Sequence, residues 1–572
     1  MKLWIDGNEV NVQPGKTLLD VVRENGWDSE ILSQRPLAAR IAGETFTLNY
    51  IPERLKDTAE DGTVSTRAAM AASGGKVTLL RYQDSRGRQV YARTAQFVLF
   101  AALRKVFPGA VGKINFTVGN SLNATITMEP AFGPDRVPEL KKAMRDLVEE
   151  DVPLLRSRIS TAEAVKTFAA DGQEDKARLL EWREAPYFDV YRYGDYMDYF
   201  YGEMMPSTGY FSVWDLISDG KDGVQLIYPD PRNADQVARY QEMPNFSAVF
   251  AESERWCALM DCDTVADLNE LVRRGRLGEL IRVNEALHER SFSQIADRIV
   301  ERNAKAVLLA GPSSSGKTTS ANRLAVQLRV HGKKPILMSL DDYYLDRDKI
   351  APGPDGTVDL EHINTIDTEL FRAQLSALLR GETVNLPRFD FTTGRRVKTD
   401  EYLNLGQDSI IIVEGLHGLN PVMLPDNVDR NLVFRVYVSA LYPLNLDNHN
   451  RIGTSYLRLL RRIVRDYETR NSSVSRTLSM WDSVRRGEER WIFPFQENAD
   501  VIFNSSLVYE LAVLKKHIFP LLDAITPEDP YYDEVRSIVK ILNYVQEAEV
   551  DDEIPPTSLL REFIGGNSFY KK

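Results

Sequence analysis

Cysteine and histidine are scarce in this chain of 572 residues. It has two cysteines, Cys257 and Cys262, and six histidines, of which none precedes His288. Two cysteines cannot build a disulfide framework, and no second cysteine pair or nearby histidine completes a zinc site. We therefore expect two reduced thiols in a cytoplasmic protein, whose N-terminal half has no imidazole for metal binding or acid–base catalysis.

The chain also lacks a long apolar segment and a net positive charge. Its longest apolar run covers residues 97–103, too short to span a bilayer, and Asp6 lies where a signal peptide would need apolar residues. The net charge of −12 argues against a protein that coats nucleic acid through its overall charge. With 43% hydrophobic residues the chain can bury several cores. At roughly 150 residues per domain, its length predicts about three to four soluble units.

The first 60 residues predict a small β-grasp unit. Two alternating apolar segments flank the turn at Asp6, and Pro-Gly-Lys-Thr at 14–17 opens a short helix. Strand-like residues follow near 41–50, and the small, polar stretch over 57–76 predicts a linker. The order of these elements, with Pro-Gly-Lys-Thr-Leu at 14–18, resembles the TGS domain of threonyl-tRNA synthetases.

Residues 76–230 predict a second unit of the α+β class. It contains an apolar helix around 97–106, an amphipathic helix over 138–152 and the turn Pro-Ser-Thr-Gly at 206–209. This region resembles the editing domain of threonyl-tRNA synthetases, whose pocket uses a histidine pair and a later cysteine and histidine. The positions matching that pocket are Arg93, Phe97, Phe200 and Met204. The resemblance therefore implies a retained fold that has lost its chemistry.

After a helical connector at 231–303, residues 304–520 predict a nucleotide-binding domain, and residues 521–572 a helical tail. The apolar strand 306–310 runs into a G-x-x-x-x-G-K-T phosphate loop, and helical spacing follows the loop. The loop consists of Gly311, Pro312, Ser313, Ser314, Ser315, Gly316, Lys317, Thr318 and Thr319. This context predicts an ATP site in which backbone N–H groups surround the phosphates, Lys317 reaches the β- and γ-oxygens and Thr318 binds Mg²⁺.

Carboxylates follow two further strands of this domain. The strand-like segment 335–340 ends in Asp341 and Asp342, and the segment 409–413 ends in Glu414. Because the carboxyl ends of parallel strands meet at one edge of a sheet, we predict Asp341 as a base for an acceptor hydroxyl and Glu414 as a Mg²⁺ ligand. Asp342 is interpreted as a helix cap.

Ten arginines and no lysines occur between residues 451 and 490. Four of them follow helical spacing opposite an apolar face; they are Arg458, Arg461, Arg462 and Arg465. The planar guanidinium fork binds phosphate in a bidentate manner that lysine cannot match. The pattern predicts a helix that packs on one side and clamps phosphate on the other, with a merely charged surface face as the alternative.

Residues 304–510 contain ordered motifs that resemble those of the uridine kinase and phosphoribulokinase family of P-loop kinases. The motifs are the phosphate loop, Ser-Leu-Asp-Asp-Tyr-Tyr at 339–344, Pro-Arg-Phe-Asp-Phe at 387–391, Val-Glu-Gly at 413–415 and Arg-Arg-Ile-Val-Arg-Asp at 461–466. The resemblance implies a parallel sheet and Asp341 as the general base. It also implies Arg465 and Arg470 in a lid over the phosphates, and an acceptor site that includes Tyr344, Glu361, Phe389 and Arg462.

The positions that read a pyrimidine depart from this family. Its tyrosine is replaced by Phe389, and its pyrimidine-reading histidine and later glutamine fall at Gly394 and Met480. Three hydrogen-bonding groups are lost, so the sequence gives no support for uracil or cytosine readout. His417 and His449 lie near the proposed crevice in sequence, where each is either a substrate ligand or a local hydrogen-bonding partner.

These observations predict a multidomain α/β and α+β protein with a C-terminal P-loop kinase. We expect a Mg²⁺- and ATP-dependent kinase that phosphorylates a hydroxyl of a small, nucleoside-like molecule. The alternative is a regulatory ATPase in which the synthetase-like units bind RNA or tRNA and ATP hydrolysis acts as a switch. A carboxylate facing the phosphate loop favours the kinase, because a switch needs only a positioned water molecule.

Overall fold

The structure is a computed structural model that describes residues 2–41, 43–52, 74–350, 361–526 and 528–570. Most of the linker predicted over 57–76 lies outside the described residues. Within the part of the chain that is described, no helix is long and apolar enough to cross a membrane.

The α-helices are α1 (Leu18–Glu24), α2 (Ser85–Val106), α3 (Val137–Glu150), α4 (Thr161–Ala170), α5 (Glu174–Leu180), α6 (Pro244–Leu259), α7 (Val265–Arg273), α8 (Leu277–Glu301), α9 (Lys317–Val330), α10 (Thr368–Leu379), α11 (Thr454–Arg470), α12 (Val474–Trp491), α13 (Glu510–Asp523), α14 (Tyr532–Leu542) and α15 (Arg561–Ile564).

The strands of the N-terminal half are β1 (Lys2–Ile5), β2 (Asn8–Asn11), β3 (Ala38–Ile41), β4 (Glu44–Phe46), β5 (Lys76–Leu80), β6 (Val111–Val118), β7 (Ser121–Thr127), β8 (Ser157–Ser160), β9 (Tyr187–Tyr193), β10 (Tyr196–Asp198), β11 (Asp215–Ser218), β12 (Gly223–Ile227), β13 (Pro229–Asp230) and β14 (Asn233–Val237). Those of the C-terminal half are β15 (Ala306–Ala310), β16 (Lys334–Ser339), β17 (Val384–Asn385), β18 (Arg388–Asp390), β19 (Arg395–Val397), β20 (Tyr402–Leu403), β21 (Ser409–Glu414), β22 (Val433–Ser439), β23 (Asn445–Asp447), β24 (Asn450–Arg451) and β25 (Val501–Asn504).

The first unit is a five-stranded sheet in the order β2-β1-β5-β3-β4, with α1 packed on it. The hairpin predicted around Asp6 is confirmed, because β1 pairs antiparallel with β2 across a turn in which Asp6 and Gly7 have positive φ. The predicted boundary at residue 60 is wrong, since β5 pairs in parallel with β1 and completes this sheet. That pairing joins residues more than 70 positions apart, which local patterning does not reveal.

The second unit combines a four-stranded sheet, in the order β11-β12-β7-β6, with a three-stranded sheet, β10-β9-β8. The long helix α2 packs against α3, and both contribute to one hydrophobic core. The helical connector begins later than its predicted start at residue 231, because β14 occupies residues 233–237 and α6 starts at Pro244.

A parallel sheet in the order β16-β21-β15-β22-β25 forms the centre of the C-terminal half. Its middle strand β15 is apolar and fully buried, as expected for a strand covered on both faces. The register aligns Ser339 at the end of β16 with Glu414 at the end of β21, and Leu309 of β15 with the same Glu414. The chain segments that follow these strands therefore meet at one edge.

The C-terminal region packs against the helices that surround this sheet. The predicted boundary at residue 520 falls inside α13, whose apolar face is buried in the core. The tail beyond it is helical over α14, but after Leu542 it is mostly turns up to the single helical turn α15. Helix α15 packs against α11.

Candidate active site

The phosphate loop connects β15 to the start of α9. Ser314 and Gly316 have φ values of 58° and 86°, which turn the chain sharply between strand and helix. A Cβ atom on Gly311 would lie 2.1 Å from the carbonyl oxygen of Val438, so only glycine fits beside β22. The loop therefore presents backbone N–H groups at a helix N-terminus, which is an arrangement that binds phosphate.

Lys317 is the first residue of α9 and points back across the loop. Its Nζ donates a hydrogen bond to the carbonyl oxygen of Pro312 at 3.1 Å. Burial lowers the pKa of Lys317, and the carboxylates of Glu414, Asp341 and Glu562 oppose this shift. One ammonium group thus faces the two carboxylates predicted from the strand ends and a third from the C-terminal tail.

Ser339 connects Asp341 and Glu414. Its hydroxyl accepts a hydrogen bond from the backbone N–H of Asp341 at 3.2 Å and donates one to Glu414 Oε1 at 3.3 Å. Burial raises the pKa of Asp341, against the opposing charges of Lys317 and Arg470. Burial also raises the pKa of Glu414 to about 7, and the nearby Asp341 adds to the shift. The sequence motif contained Ser339, but its part in the site follows only from the register of β16 and β21.

Asp341 and Asp342 point to different partners. Both lie in a 3-10 helix, Leu340–Tyr343, so strand alternation does not separate their side chains. Asp341 faces Lys317, whereas Asp342 Oδ1 accepts the backbone N–H of Phe389 at 3.2 Å. Asp342 therefore ties the β18–β19 hairpin to this turn, and its interpretation as a helix cap is wrong.

The oxygen donors near the loop fit a magnesium ion that is shared with a nucleotide. Thr318 is exposed at the first turn of α9, and Glu414 ends the neighbouring strand β21. Among the described residues, no group of three or more His, Cys, Asp or Glu side chains could hold a metal ion by itself. Magnesium is commonly held by one or two protein oxygens together with substrate phosphates, which matches this donor set.

The arginine-rich segment forms α11 and α12, but two of its arginines are structural. Arg458 and Arg461 are completely buried and pair with Glu488 and Glu510. Arg458 also donates to the carbonyl oxygen of Ser313 at 3.0 Å. The prediction that the guanidinium side of the helix clamps phosphate is therefore wrong for Arg458 and Arg461. These two side chains instead support the phosphate loop from the protein interior.

The remaining arginines of α11 surround Asp466 beside the loop. Arg462 Nη1 donates to Ser313 Oγ at 2.8 Å, and its Nε lies 3.3 Å from Asp466. Arg465 and Arg470 contact Asp466 Oδ1 at 2.9 Å and 3.4 Å. The carboxylate of Asp466 thus contacts three guanidinium groups. The charge of Arg465 lowers the pKa of Lys317, and the charge of Arg470 lowers that of Asp341.

An aromatic cluster of Tyr344, Phe389 and Phe391 adjoins Asp341. The ring of Tyr344 lies 5.6 Å from Phe389 and 6.3 Å from Phe391, measured between centroids. The charges of Asp341 and Glu361 both act on the Tyr344 hydroxyl, whose pKa is raised chiefly by burial. Burial also raises the pKa of Glu361 to about 7, opposed by Arg462. The structure thus brings together the four predicted acceptor-site residues.

The two histidines singled out from the sequence are buried in different places. His417 follows β21, and burial lowers its pKa to about 4, so its ring is neutral at pH 7. His449 contacts residues of the second unit. Its Nδ1 lies 2.7 Å from both Asp198 Oδ2 and Lys176 Nζ, and its ring stacks on Phe100. His449 is therefore a hydrogen-bonding partner between units and lies outside the crevice.

The four positions that match the editing pocket in the sequence resemblance are filled by packed side chains. Phe97, Phe200 and Met204 belong to one buried core. Arg93 donates to the carbonyl oxygen of Glu203 at 3.2 Å, and its guanidinium approaches Gly202 so closely that a Cβ there would collide with it. The space that would hold a ligand in that position is occupied by the protein.

Sequence reasoning missed three glutamates that contact the phosphate loop or its neighbouring helices, which are Glu488, Glu510 and Glu562. Glu488 and Glu510 pair with arginines of α11 from 30 and 49 positions away, and Glu562 contacts Thr319 from 243 positions away. No motif marks them, because a glutamate in a helix is ordinary in a local pattern. An excess of arginine beyond what phosphate binding needs was the only available signal.

Comparison with known proteins separates the chain into two regions. A family model for the phosphoribulokinase/uridine kinase family matches residues 307–511. A uridine kinase from Brevibacillus brevis is 30% identical over 196 residues, which are 34% of this chain and 81% of that protein. A uridine kinase from Lactobacillus helveticus is 27% identical over 195 residues, 34% of this chain and 83% of the relative.

The N-terminal region is similar to a different class of protein. A threonine–tRNA ligase from Clostridium kluyveri is 24% identical over 214 residues, which are 37% of this chain. The chain spans only 30% of the length of that ligase.

Proposed function

The chain belongs to the phosphoribulokinase/uridine kinase family, and from this premise we propose that it transfers the γ-phosphoryl group of MgATP to a hydroxyl of a nucleoside-like molecule. The family supports the coarser statement directly: this is an ATP-dependent kinase that acts on a hydroxyl of a small molecule. The nucleoside, the magnesium ion and the role of each residue are the proposal.

The observation that carries the proposal is the position of Asp341 relative to Lys317. The phosphate-loop lysine and a carboxylate with a raised pKa act on each other at the carboxyl edge of the parallel sheet. A general base must lie within reach of the hydroxyl proton, and its pKa is best raised toward the working pH. The raised pKa of Asp341 and its interaction with Lys317 support this role, whereas a hydrolytic switch requires no base with an aromatic cluster beside it.

We assign the nucleotide phosphates to the loop at 311–319. The loop N–H groups bind the phosphates, Lys317 contacts the β- and γ-oxygens, and Thr318 with Glu414 would hold Mg²⁺. The ion, when bound, neutralises charge on the β- and γ-phosphates. Asp341 accepts the proton of the acceptor hydroxyl as the oxygen attacks phosphorus. Arg465 and Arg470 stabilise negative charge on the transferring group.

The acceptor is proposed to bind between the aromatic cluster and Asp341. Tyr344 and Phe389 offer ring surfaces for a planar base, and Glu361 with Arg462 offers polar groups for sugar hydroxyls. Gly394 and Met480 supply no side-chain hydrogen bond to a base. The cluster therefore suits a nucleoside or a similar alcohol without demanding a particular pyrimidine.

A panel of acceptors tests this function. The full chain is incubated with γ-labelled ATP and Mg²⁺, together with nucleosides, simple sugars or pantothenate-like alcohols. A labelled nucleoside supports the proposal, a labelled non-nucleoside alcohol moves the acceptor to another class, and hydrolysis without any labelled acceptor contradicts phosphoryl transfer. Lys317→Ala is the control, since it should abolish labelling of every acceptor.

We propose that the N-terminal half consists of a TGS-like unit and an editing-like unit that has lost its chemistry. The similarity of this region to threonine–tRNA ligases supports the assignment. It also supports a second candidate function, in which these units bind RNA or tRNA and regulate ATP turnover. Stimulation of ATP hydrolysis by RNA, without a phosphorylated small molecule, would favour that candidate.

A further inference from the structure

The described end of the C-terminal tail, residues 554–570, packs against the phosphate loop. Leu559, Leu560 and Phe563 are completely buried. The guanidinium of Arg461 lies over the ring of Phe563 at 5.0 Å, and the Leu559 side chain lies 3.0 Å from where a Cβ on Gly316 would be. The tail is thus anchored to the same helix and loop that the nucleotide phosphates would contact.

Glu562 in this tail contacts hydrogen-bond donors of the first turn of α9. Its Oε2 accepts the Thr319 hydroxyl at 2.6 Å and lies 3.3 Å from the Thr319 backbone nitrogen, which also donates to it. Asn567 Nδ2 and Tyr570 OH lie 3.4 Å and 3.1 Å from the same hydroxyl oxygen. Three side chains of the tail therefore converge on Thr319, the last residue of the G-x-x-x-x-G-K-T-T segment.

A carboxylate in this position uses the same chemistry as a nucleotide phosphate. The N–H groups at the start of the helix after a phosphate loop bind the α- and β-phosphates, and Thr319 supplies one of them with an adjacent hydroxyl. An anionic carboxylate and a polyphosphate cannot both bind these donors at close range without strong repulsion. Because the anchors of the tail are apolar and buried, the Glu562 side chain can turn away while its backbone stays in place.

We propose that the C-terminal tail is part of the nucleotide site, in which Glu562 occupies the Thr319 donors in the free enzyme and must release them to the nucleotide's phosphate chain. Glu562 therefore weakens nucleotide binding in proportion to its charge. The inference rests on the proposed placement of the nucleotide at residues 311–319.

Nucleotide affinity of the full chain tests the inference. Dissociation constants for ATP, ADP and inorganic tripolyphosphate are measured by calorimetry for wild type, Glu562→Gln and Glu562→Ala. Removing one charge that competes for a hydrogen-bonded anion site should tighten binding of all three roughly tenfold. Glu553→Gln is the matched control, because Glu553 lies on the same tail but pairs with Arg282 at the surface, and its affinities should equal those of wild type.

Two results would overturn the inference in different ways. If wild type binds nucleotide and both Glu562 variants, shown to be folded by circular dichroism, bind with equal or lower affinity, Glu562 does not compete with phosphate. If Lys317→Ala binds ATP as well as wild type does, the nucleotide site itself lies elsewhere. The second result would remove the proposed function's nucleotide site and the inference together, whereas the first would leave the site intact.

Discussion

Arg458 and Glu488 form a completely buried ion pair that holds the phosphate loop at Ser313. Arg458 Nη2 donates to Glu488 Oε2 at 2.8 Å, and its Nη1 donates to the Ser313 carbonyl at 3.0 Å. Glu488 Oε1 in turn accepts the Ser313 backbone N–H at 3.1 Å. The pair links α11 and α12 to the backbone N–H and the carbonyl oxygen of one loop residue, so the conformation of the loop depends on two helices distant in sequence.

Breaking this pair should destabilise the protein and weaken nucleotide binding. Arg458→Met leaves the buried Glu488 with Arg485, at 3.1 Å, as its remaining ionic partner, so the loss of unfolding free energy should fall below the about 3–5 kcal/mol typical of a buried charge left unpaired. Urea denaturation and ATP affinity measure the two effects. The double variant Arg458→Met with Glu488→Leu should recover part of the lost stability, because the buried carboxylate that lost its Arg458 partner is gone. The exposed Arg486→Ala is the control, and an equal loss there would contradict this role of the pair.

Asp341→Asn should reduce turnover while leaving ATP bound. The amide keeps the size of the side chain but cannot accept the proton, and general bases typically contribute about 10²- to 10⁴-fold to rate. Initial rates and ATP affinity are measured on the same preparation. Asp342→Asn is the matched control, because its carboxylate only accepts the Phe389 N–H and the change should affect rate little. The assignment of the base is wrong if Asp342→Asn abolishes transfer and Asp341→Asn does not.

Arg465→Ala should lower kcat far more than it changes the KM of the acceptor. Its interaction strengthens as charge develops on the transferring phosphoryl group, and loss of one such donor typically costs about 10²-fold or more in kcat. Arg465→Lys should restore little activity, because an ammonium lacks the planar fork. Steady-state kinetics with both substrates provide the measurement. Equal rates for wild type and Arg465→Ala would place this side chain outside the reaction.

Glu414 should make stability depend on pH in the absence of nucleotide. Burial raises its pKa from 4.5 to about 7, so between these values the folded protein holds a proton that the unfolded chain has lost. The contribution of Glu414 to stability is therefore present at low pH and is lost as the pH rises through about 7. The corresponding slope is at most about 1.4 kcal/mol per pH unit.

Unfolding free energies of wild type and Glu414→Gln, measured across this pH range, test the prediction. The difference between the two should change with pH, since glutamine does not titrate. Glu401→Gln serves as the control and should run parallel to wild type, because Glu401 is exposed and pairs with Arg388 at the surface. Parallel curves for Glu414→Gln as well would contradict the raised pKa.

The N-terminal half should hydrolyse no mischarged aminoacyl-tRNA and bind no stoichiometric zinc. Phe97, Phe200 and Met204 are packed in the core, and Arg93 is held by the Glu203 carbonyl, so the matching positions offer neither a metal ligand nor a base. A deacylation assay on the full chain, with an active editing enzyme as positive control, and elemental analysis are sufficient. Deacylation above background, or one zinc per chain, would refute this.

Short-range patterns were enough to predict the parts of the fold and of the site that lie along one strand, hairpin, loop or helix start. The phosphate loop, the carboxylates after β16 and β21 and the hairpin at Asp6 each depend on residues within about ten positions. Such segments combine a hydrophobic period with turn-forming residues, and both are visible in the sequence. The sequence likewise carried the family resemblance, because its motifs are short and keep their order.

Only the tertiary structure decided which distant residues complete these parts. It added β5 to the first sheet, paired Arg458 and Arg461 with Glu488 and Glu510, and brought Glu562 onto Thr319. Each partner is a residue type that local patterning assigns to an ordinary surface or strand position. The pairing of these residues follows from the packing of elements that are tens to hundreds of positions apart in sequence. The free-energy cost of burying a charge is offset only when the complete fold places its partner beside it.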